Sequence, residues 1–288
     1  MDRPNMDRPN VDRIVVSDIS KTFQLKPGQF VTVDGEATDR VTVLDGVDLS
    51  IRTGEFITLV GPSGSGKSVL LDIIGGLTQA TGGDVQLDGR RITRPDPKTG
   101  YVFQQYALFP WRTALANIEY ALEVRGVAKA ERTATAHHLL ALFGLAGFED
   151  RFPNQLSGGM QQRVAIARAL ASNPEVLLMD EPFAALDQQT RELLQGELLR
   201  IWGKIKTTVI FVTHSIDEAI FLADRVVVMT ARPGAVKEII DIDLPRPRDG
   251  DIRASAEFNT YRARVWDVLR DEVNKAQKDW TLSPAFSH

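Results

Sequence analysis

Gly61-Pro-Ser-Gly-Ser-Gly-Lys67-Ser68 follows the aliphatic run EFITLV (Glu55 to Val60) and precedes the run VLLDII (Val69 to Ile74). The spacing GxxxxGK[ST], set between a strand and a helix, is what a backbone needs to wrap phosphate groups. Gly64 and Gly66 keep N–H groups clear of side chains, Pro62, Ser63 and Ser65 complete the loop, and the helix behind it adds the positive end of its dipole. Lys67 is expected to bridge the β- and γ-phosphates of a nucleotide, and Ser68 to ligate Mg²⁺.

Moving outward, short β-branched or aliphatic runs recur at YVF (Tyr101 to Phe103), VLLMD (Val176 to Asp180), TVIFVT (Thr208 to Thr213) and RVVVMT (Arg225 to Thr230). Helical patterns lie between most of them, which suits the buried strands of a largely parallel sheet in an α/β fold. Upstream, alternating runs from Val11 to Ile51, broken at Pro27-Gly28 and Asp34-Gly35, predict antiparallel strands with a hairpin. Between Thr113 and Ala171 the periodicity is helical without strands, predicting a helical subdomain over about 105–172. Past Pro247, Phe258, Tyr261, Val265, Val268 and Leu269 fall at three- and four-residue spacing and predict one amphipathic helix. The expected organisation is a disordered N-terminal tail over 1–12, a nucleotide-binding domain over 13–245, and an amphipathic helix with its tail over 246–288.

The 288 residues are 43% hydrophobic and 25% charged, enough to bury a substantial core. A net charge of −4 argues against a broad phosphate-neutralising surface, so nucleic acid is not an expected partner. With no cysteine, disulfides, thiolate metal sites and cysteine nucleophiles are excluded. No apolar run approaches the roughly 20 residues of a membrane span, and the repeated opening MDRPN is too polar to be a secretion signal. A cytosolic chain is expected.

Two further elements give the loop its context. VLLMD ends in Asp180 followed by Glu181, where Asp180 is placed to hold a Mg²⁺ shell through water and Glu181 to polarise an attacking water. The second is Leu156-Ser-Gly-Gly-Met160 before the helical run VAIARALAS. Ser157 is a natural N-cap, and two glycines inside the start of a helix cost about 1 kcal/mol each relative to alanine, so they imply a close approach of backbone to something. A helix N-terminus favours an anion. Since the chain's own loop already cradles one set of phosphates, Ser157, Gly158 and Gly159 are expected to face the phosphate held by a second subunit.

At this point the chain resembles the ABC ATPase family, from about Val15 to Ile240. The resemblance implies a P-loop NTPase fold with a RecA-like core, an antiparallel β-subdomain and an inserted helical subdomain, working as a dimer over ATP and Mg²⁺. It implies that Gln104, after YVF, senses Mg²⁺ and γ-phosphate, that Asp187 in Ala185-Leu186-Asp187 reaches across the dimer, and that His214 contacts the γ-phosphate. Phe23 stands where an aromatic residue stacks on adenine. The fifth signature position, commonly glutamine, is Met160, and the stacking residue, commonly tyrosine, lacks its hydroxyl here.

The run Ala107 to Thr113, the later ARPG and LPRPRD, and the final helix are similar to the nitrate/sulfonate/taurine branch of importer ATPases. That likeness implies separate transmembrane permease subunits, a solute-binding protein beyond them, and work at the cytoplasmic face of a membrane. Leu108, Phe109, Pro110 and Trp111 are the expected permease contact, because exposed apolar clusters mark interfaces. Competing classes are an ABC ATPase of DNA maintenance, which needs long coiled coils or a basic surface, a two-cassette ribosomal protein, and a regulatory cassette without turnover. The chain shows no coiled-coil heptads, one P-loop and both Glu181 and His214.

Overall fold

The computed structural model describes residues 12–27, 30–33, 36–205 and 207–281. The MDRPN repeat and the Asp34-Gly35 turn lie outside these. The chain divides into two compact units, one built from residues up to Pro95, Val212–Arg246 and residues from Asp251 onward, the other from Asp96–Phe211 with Pro247–Gly250.

The first unit opens with β1 (Asp12–Gln24), the short pair β2 (Val31–Val33) and β3 (Glu36–Thr38), β4 (Arg40–Arg52), β5 (Phe56–Val60), α1 (Lys67–Ile74), β6 (Gly82–Leu87) and β7 (Arg90–Arg91). The alternation read upstream resolves into two thirteen-residue strands, β1 and β4, paired antiparallel within a sheet of order β4-β1-β6-β7. The expected hairpin is present as β2 against β3, antiparallel, with Val33 opposite Glu36.

The second unit carries β8 (Thr99–Val102), α2 (Ala114–Glu123), α3 (Lys129–Leu142), α4 (Gly158–Ala171), β9 (Val176–Asp180), α5 (Gln188–Ile205) and β10 (Thr208–Val212). Its strands follow the order β10-β9-β8, with β8 and β9 parallel. No strand interrupts α2, α3 and α4. Thr113 starts α2 by accepting the Ala116 N–H on its hydroxyl at 3.2 Å, satisfying one of the donors a helix start leaves open.

The chain then returns to the first unit with α6 (Ile216–Leu222), β11 (Arg225–Met229), β12 (Val236–Asp241) and α7 (Ala256–Thr281). β5 runs parallel to β11 with Arg225 opposite Ile57, and both strands are buried along their whole length. That is why each reads as an unbroken aliphatic run, with each large side chain contributing roughly 1.5–3 kcal/mol of burial. β12 departs from the expected parallel order, joining β11 as an antiparallel partner. Its half-buried alternation gave no continuous apolar run to mark it. Arg225, also inside the apolar strand, is neutralised by Glu55 at 2.9 Å and donates to Ser50 O at 2.6 Å.

The predicted C-terminal helix is α7. Phe258, Val265 and Leu269 are buried, with Tyr261 and Val268 half-buried beside them. Arg262 grips Asp217 of α6 through Nε at 2.6 Å and Nη2 at 2.9 Å.

Candidate functional site

Gly66 stands at the N-terminus of α1 with φ 83°, a left-handed conformation open to glycine at little cost. A Cβ there would come within 2.5 Å of Leu44, so the residue has neither the dihedral nor the room for a side chain. Lys67 is buried, and its ammonium donates to Gly61 O at 2.9 Å, Pro62 O at 3.0 Å and Ser65 Oγ at 3.2 Å. The P-loop is thus curled around its own cation. Thr213 N–H donates to Leu59 O at 3.2 Å, which sets exposed His214, one residue on, beside the point where β5 passes into Gly61.

In the second unit, Gln104 Nε2 donates to Glu181 Oε2 at 3.2 Å. Glu181 has φ 44°, unusual for a residue with a side chain, and costs of this kind, on the order of 1–3 kcal/mol, gather at functional sites. It follows Asp180 at the end of β9. Asp187 accepts Thr190 N–H at 3.0 Å, capping the first turn of α5, and this backbone donor holds its carboxyl below the usual range. Ser157 caps α4 as expected, accepting from Met160 N–H at 3.3 Å. Each of the two glycines also lies close to a side chain of its own chain. A Cβ at Gly158 would lie 3.0 Å from Tyr106 Oη, and one at Gly159 2.8 Å from Thr190 Cγ2.

No three His, Cys, Asp or Glu side chains among the described residues group to hold a metal ion. Asp180 at the end of β9 and Gln104 each carry a side-chain oxygen in the second unit, and Ser68 carries one in the first, the donor chemistry that suits Mg²⁺.

A family model described as ABC transporter matches residues 44–184. An uncharacterised ABC transporter ATP-binding protein of Methanocaldococcus jannaschii is 57% identical over 240 residues, covering 83% of this chain and 89% of that protein. The chain belongs to the ABC transporter family. The nitrate import ATP-binding protein of Synechocystis is 42% identical to this ABC ATPase over 261 residues, 88% of this chain and 94% of its own. A solved dimeric ATP-binding cassette in a post-hydrolysis state, bound to ADP and Pi, is 36% identical with a TM-score of 0.69, covering 81% of this chain and 100% of that one. ATP binding and hydrolysis are this ABC protein's activity.

The remaining residues expected at a site are exposed or half-buried. Phe23, next to the last residue of β1, pairs with Val41 and is 40% exposed, and Lys21 Nζ sits 4.8 Å from its ring centroid. Leu108, Phe109, Pro110 and Trp111 lead into α2. Phe109 is half-buried, its ring edge-on to Tyr120 at 4.6 Å, while Trp111 is 72% exposed with its ring 5.6 Å from Phe109.

Two supporting residues gave no signal in the sequence. Fully buried Asn117 accepts Phe109 N–H at 2.9 Å and donates to Phe109 O at 3.2 Å, Arg112 O at 2.9 Å and Thr113 O at 3.0 Å. Arg168 of α4 donates to Ala107 O at 2.7 Å and Tyr106 O at 3.3 Å, and burial lowers its pKa. Both act on the Gln104–Trp111 stretch from a helix. An asparagine or arginine inside a helical run reads as a surface residue until its partners are placed.

Among the described residues, no helix is long and apolar enough to cross a membrane.

Proposed function

We propose that this chain is the ATP-hydrolysing subunit of an importer for a small anion such as nitrate, a sulfonate, taurine or bicarbonate, at the cytoplasmic face of a membrane. The observation that carries the nucleotide part is the P-loop itself, with buried Lys67 held by loop carbonyls at the N-terminus of α1. Backbone N–H groups of the loop Gly61 to Ser68, Pro62 excepted, take the phosphates, Lys67 neutralises them, and Phe23 stacks on the base.

Ser68 and Gln104 would hold Mg²⁺, with Asp180 acting through water, and the ion would supply neutralising charge at the phosphates. Glu181 takes the proton of the attacking water, and His214 contacts the γ-phosphate. A second ATPase subunit, identical or homologous, presents Ser157, Gly158, Gly159, Met160 and Asp187 across the dimer. ATP binding favours the closed dimer, and hydrolysis with release reopens it. Separate transmembrane permease subunits dock on Leu108, Phe109, Pro110 and Trp111 of the helical segment 105–172, and a solute-binding protein delivers the cargo. The anion reading rests on sequence likeness to a nitrate importer's ATP-binding protein.

Lys67→Ala tests the nucleotide reading. The variant is expected to lose at least tenfold in Mg·ATP affinity by isothermal titration and to lose turnover with it. Wild-type affinity in that variant would remove the P-loop assignment. Co-purification of the wild-type chain with its permease and the solute-binding partner tests the cargo class.

A further inference from the structure

The turn Ala231-Arg-Pro-Gly234 after β11 lies against the P-loop, within the same unit. A Cβ at Gly61 would meet Met229 O at 3.1 Å, and one at Gly234 would sit 1.9 Å from Ser65 O. The two backbones touch, and no side chain fits at 234.

The turn is also held from behind. Gly234 N–H donates to Val43 O at 2.8 Å, and its carbonyl accepts from Asp45 N–H at 3.1 Å. Thr230 and Ala235 close it through Thr230 N–H to Ala235 O at 2.9 Å and Ala235 N–H to Thr230 Oγ1 at 2.9 Å. Glu272 of α7 accepts Ala231 N–H at 2.9 Å. With the backbone fixed on all sides, the Arg232 side chain is what the turn presents. It is exposed, and its Nη2 lies 3.3 Å from where a Cβ at Gly64 would be. Among the described residues no carboxylate pairs with it.

A guanidinium presented from a fixed turn at the edge of a phosphate loop, with no counter-ion among the described residues, is matched to an anion on that loop, because its planar donors fit phosphate oxygens. We propose that Arg232 is a further phosphate-binding residue, adding a second cation to the site that Lys67 serves. This rests on the nucleotide reading of the P-loop.

Isothermal titration of Mg·ATP against the full chain tests it, using Arg232→Ala and Arg232→Gln at low and high NaCl. Both variants are expected to bind about tenfold more weakly at low salt, with the gap to wild type narrowing as salt rises, since the lost interaction is between charges. Wild-type affinity in either variant overturns the proposal. So does a loss that is the same at all salt concentrations, which would mark a distorted loop rather than a missing charge. Absence of Mg·ATP binding by the wild-type chain would take down the nucleotide reading together with this one, whereas the other two outcomes leave that reading standing.

Discussion

Gln104 Nε2 rests 3.2 Å from Glu181 Oε2, with Glu181 itself held at φ 44°. The amide and the carboxylate are in contact, so the residue proposed to sense the phosphate end also touches the group proposed to act on the water. Glu181→Gln keeps the size and one acceptor while removing the base. The variant is expected to retain Mg·ATP binding, to lose at least a hundredfold in turnover, and to elute as a stable dimer by size-exclusion chromatography with Mg·ATP. Unchanged turnover would remove Glu181 as the base.

Phe23 is 40% exposed near the end of β1. With Phe23 in its proposed stacking role, adenine recognition depends on the aromatic face and not on a hydrogen bond, so Phe23→Tyr is expected to leave ATP affinity within about twofold. Phe23→Ala should weaken it by about 1–2 kcal/mol, read by titration. Wild-type affinity in the alanine variant would move stacking to another residue.

What the sequence carried plainly was local. The EFITLV run, the glycines of the P-loop and the cap at Ser157 each act over a few consecutive residues, and each took the form their spacing required. β12 escaped because an edge strand is half-buried and reads as mixed polarity. Asn117, Arg168 and Glu272 escaped for a different reason. Each is a polar residue in an ordinary helical pattern whose meaning comes from backbone groups that only folding brings near. The two glycines of the signature show the middle case. Their demand for close contact was legible, but not that Tyr106 and Thr190 would supply contacts inside the chain.

Glu272 links α7 to the strand end and to the turn beside the P-loop. Burial works to raise its pKa, but Lys237 at 2.8 Å, the Ala231 N–H at 2.9 Å and Lys275 at 3.1 Å outweigh this and bring it to about 2. A folded-state pKa below the unfolded value stabilises the protein above about pH 4.5, and that stability is lost as pH falls toward 2. The contribution at neutral pH is on the order of 3 kcal/mol. Glu272→Gln is therefore expected to melt several degrees below wild type at pH 7, with the gap closing between pH 4.5 and 2. A gap independent of pH would mean that the side chain acts by packing alone.

Trp111 and Phe109 sit close together but differ in support. Phe109 is wedged against Tyr120, and its backbone is clamped at both N–H and carbonyl by buried Asn117, so its truncation would disturb the start of α2. Trp111 touches Phe109 at 5.6 Å and otherwise stands 72% exposed, a large apolar surface held out by a rigid base. Little folding energy depends on it, because the area it buries within the chain is small. Its ring is available to a partner, and aromatic anchors of this kind cost about 2 kcal/mol or more when truncated at an interface. Trp111→Ala is accordingly expected to keep the wild-type melting temperature within a degree or two and to bind Mg·ATP normally. Its association with permease subunits is expected to weaken by at least tenfold in a pull-down titration, and transport in reconstituted vesicles to fall with it. Asn117→Ala provides the contrast, since removing the clamp loosens the segment from within. It should lower the melting temperature as well as the association. Wild-type transport by the Trp111→Ala variant would show that the permease is engaged through another surface and that this tryptophan is a bystander.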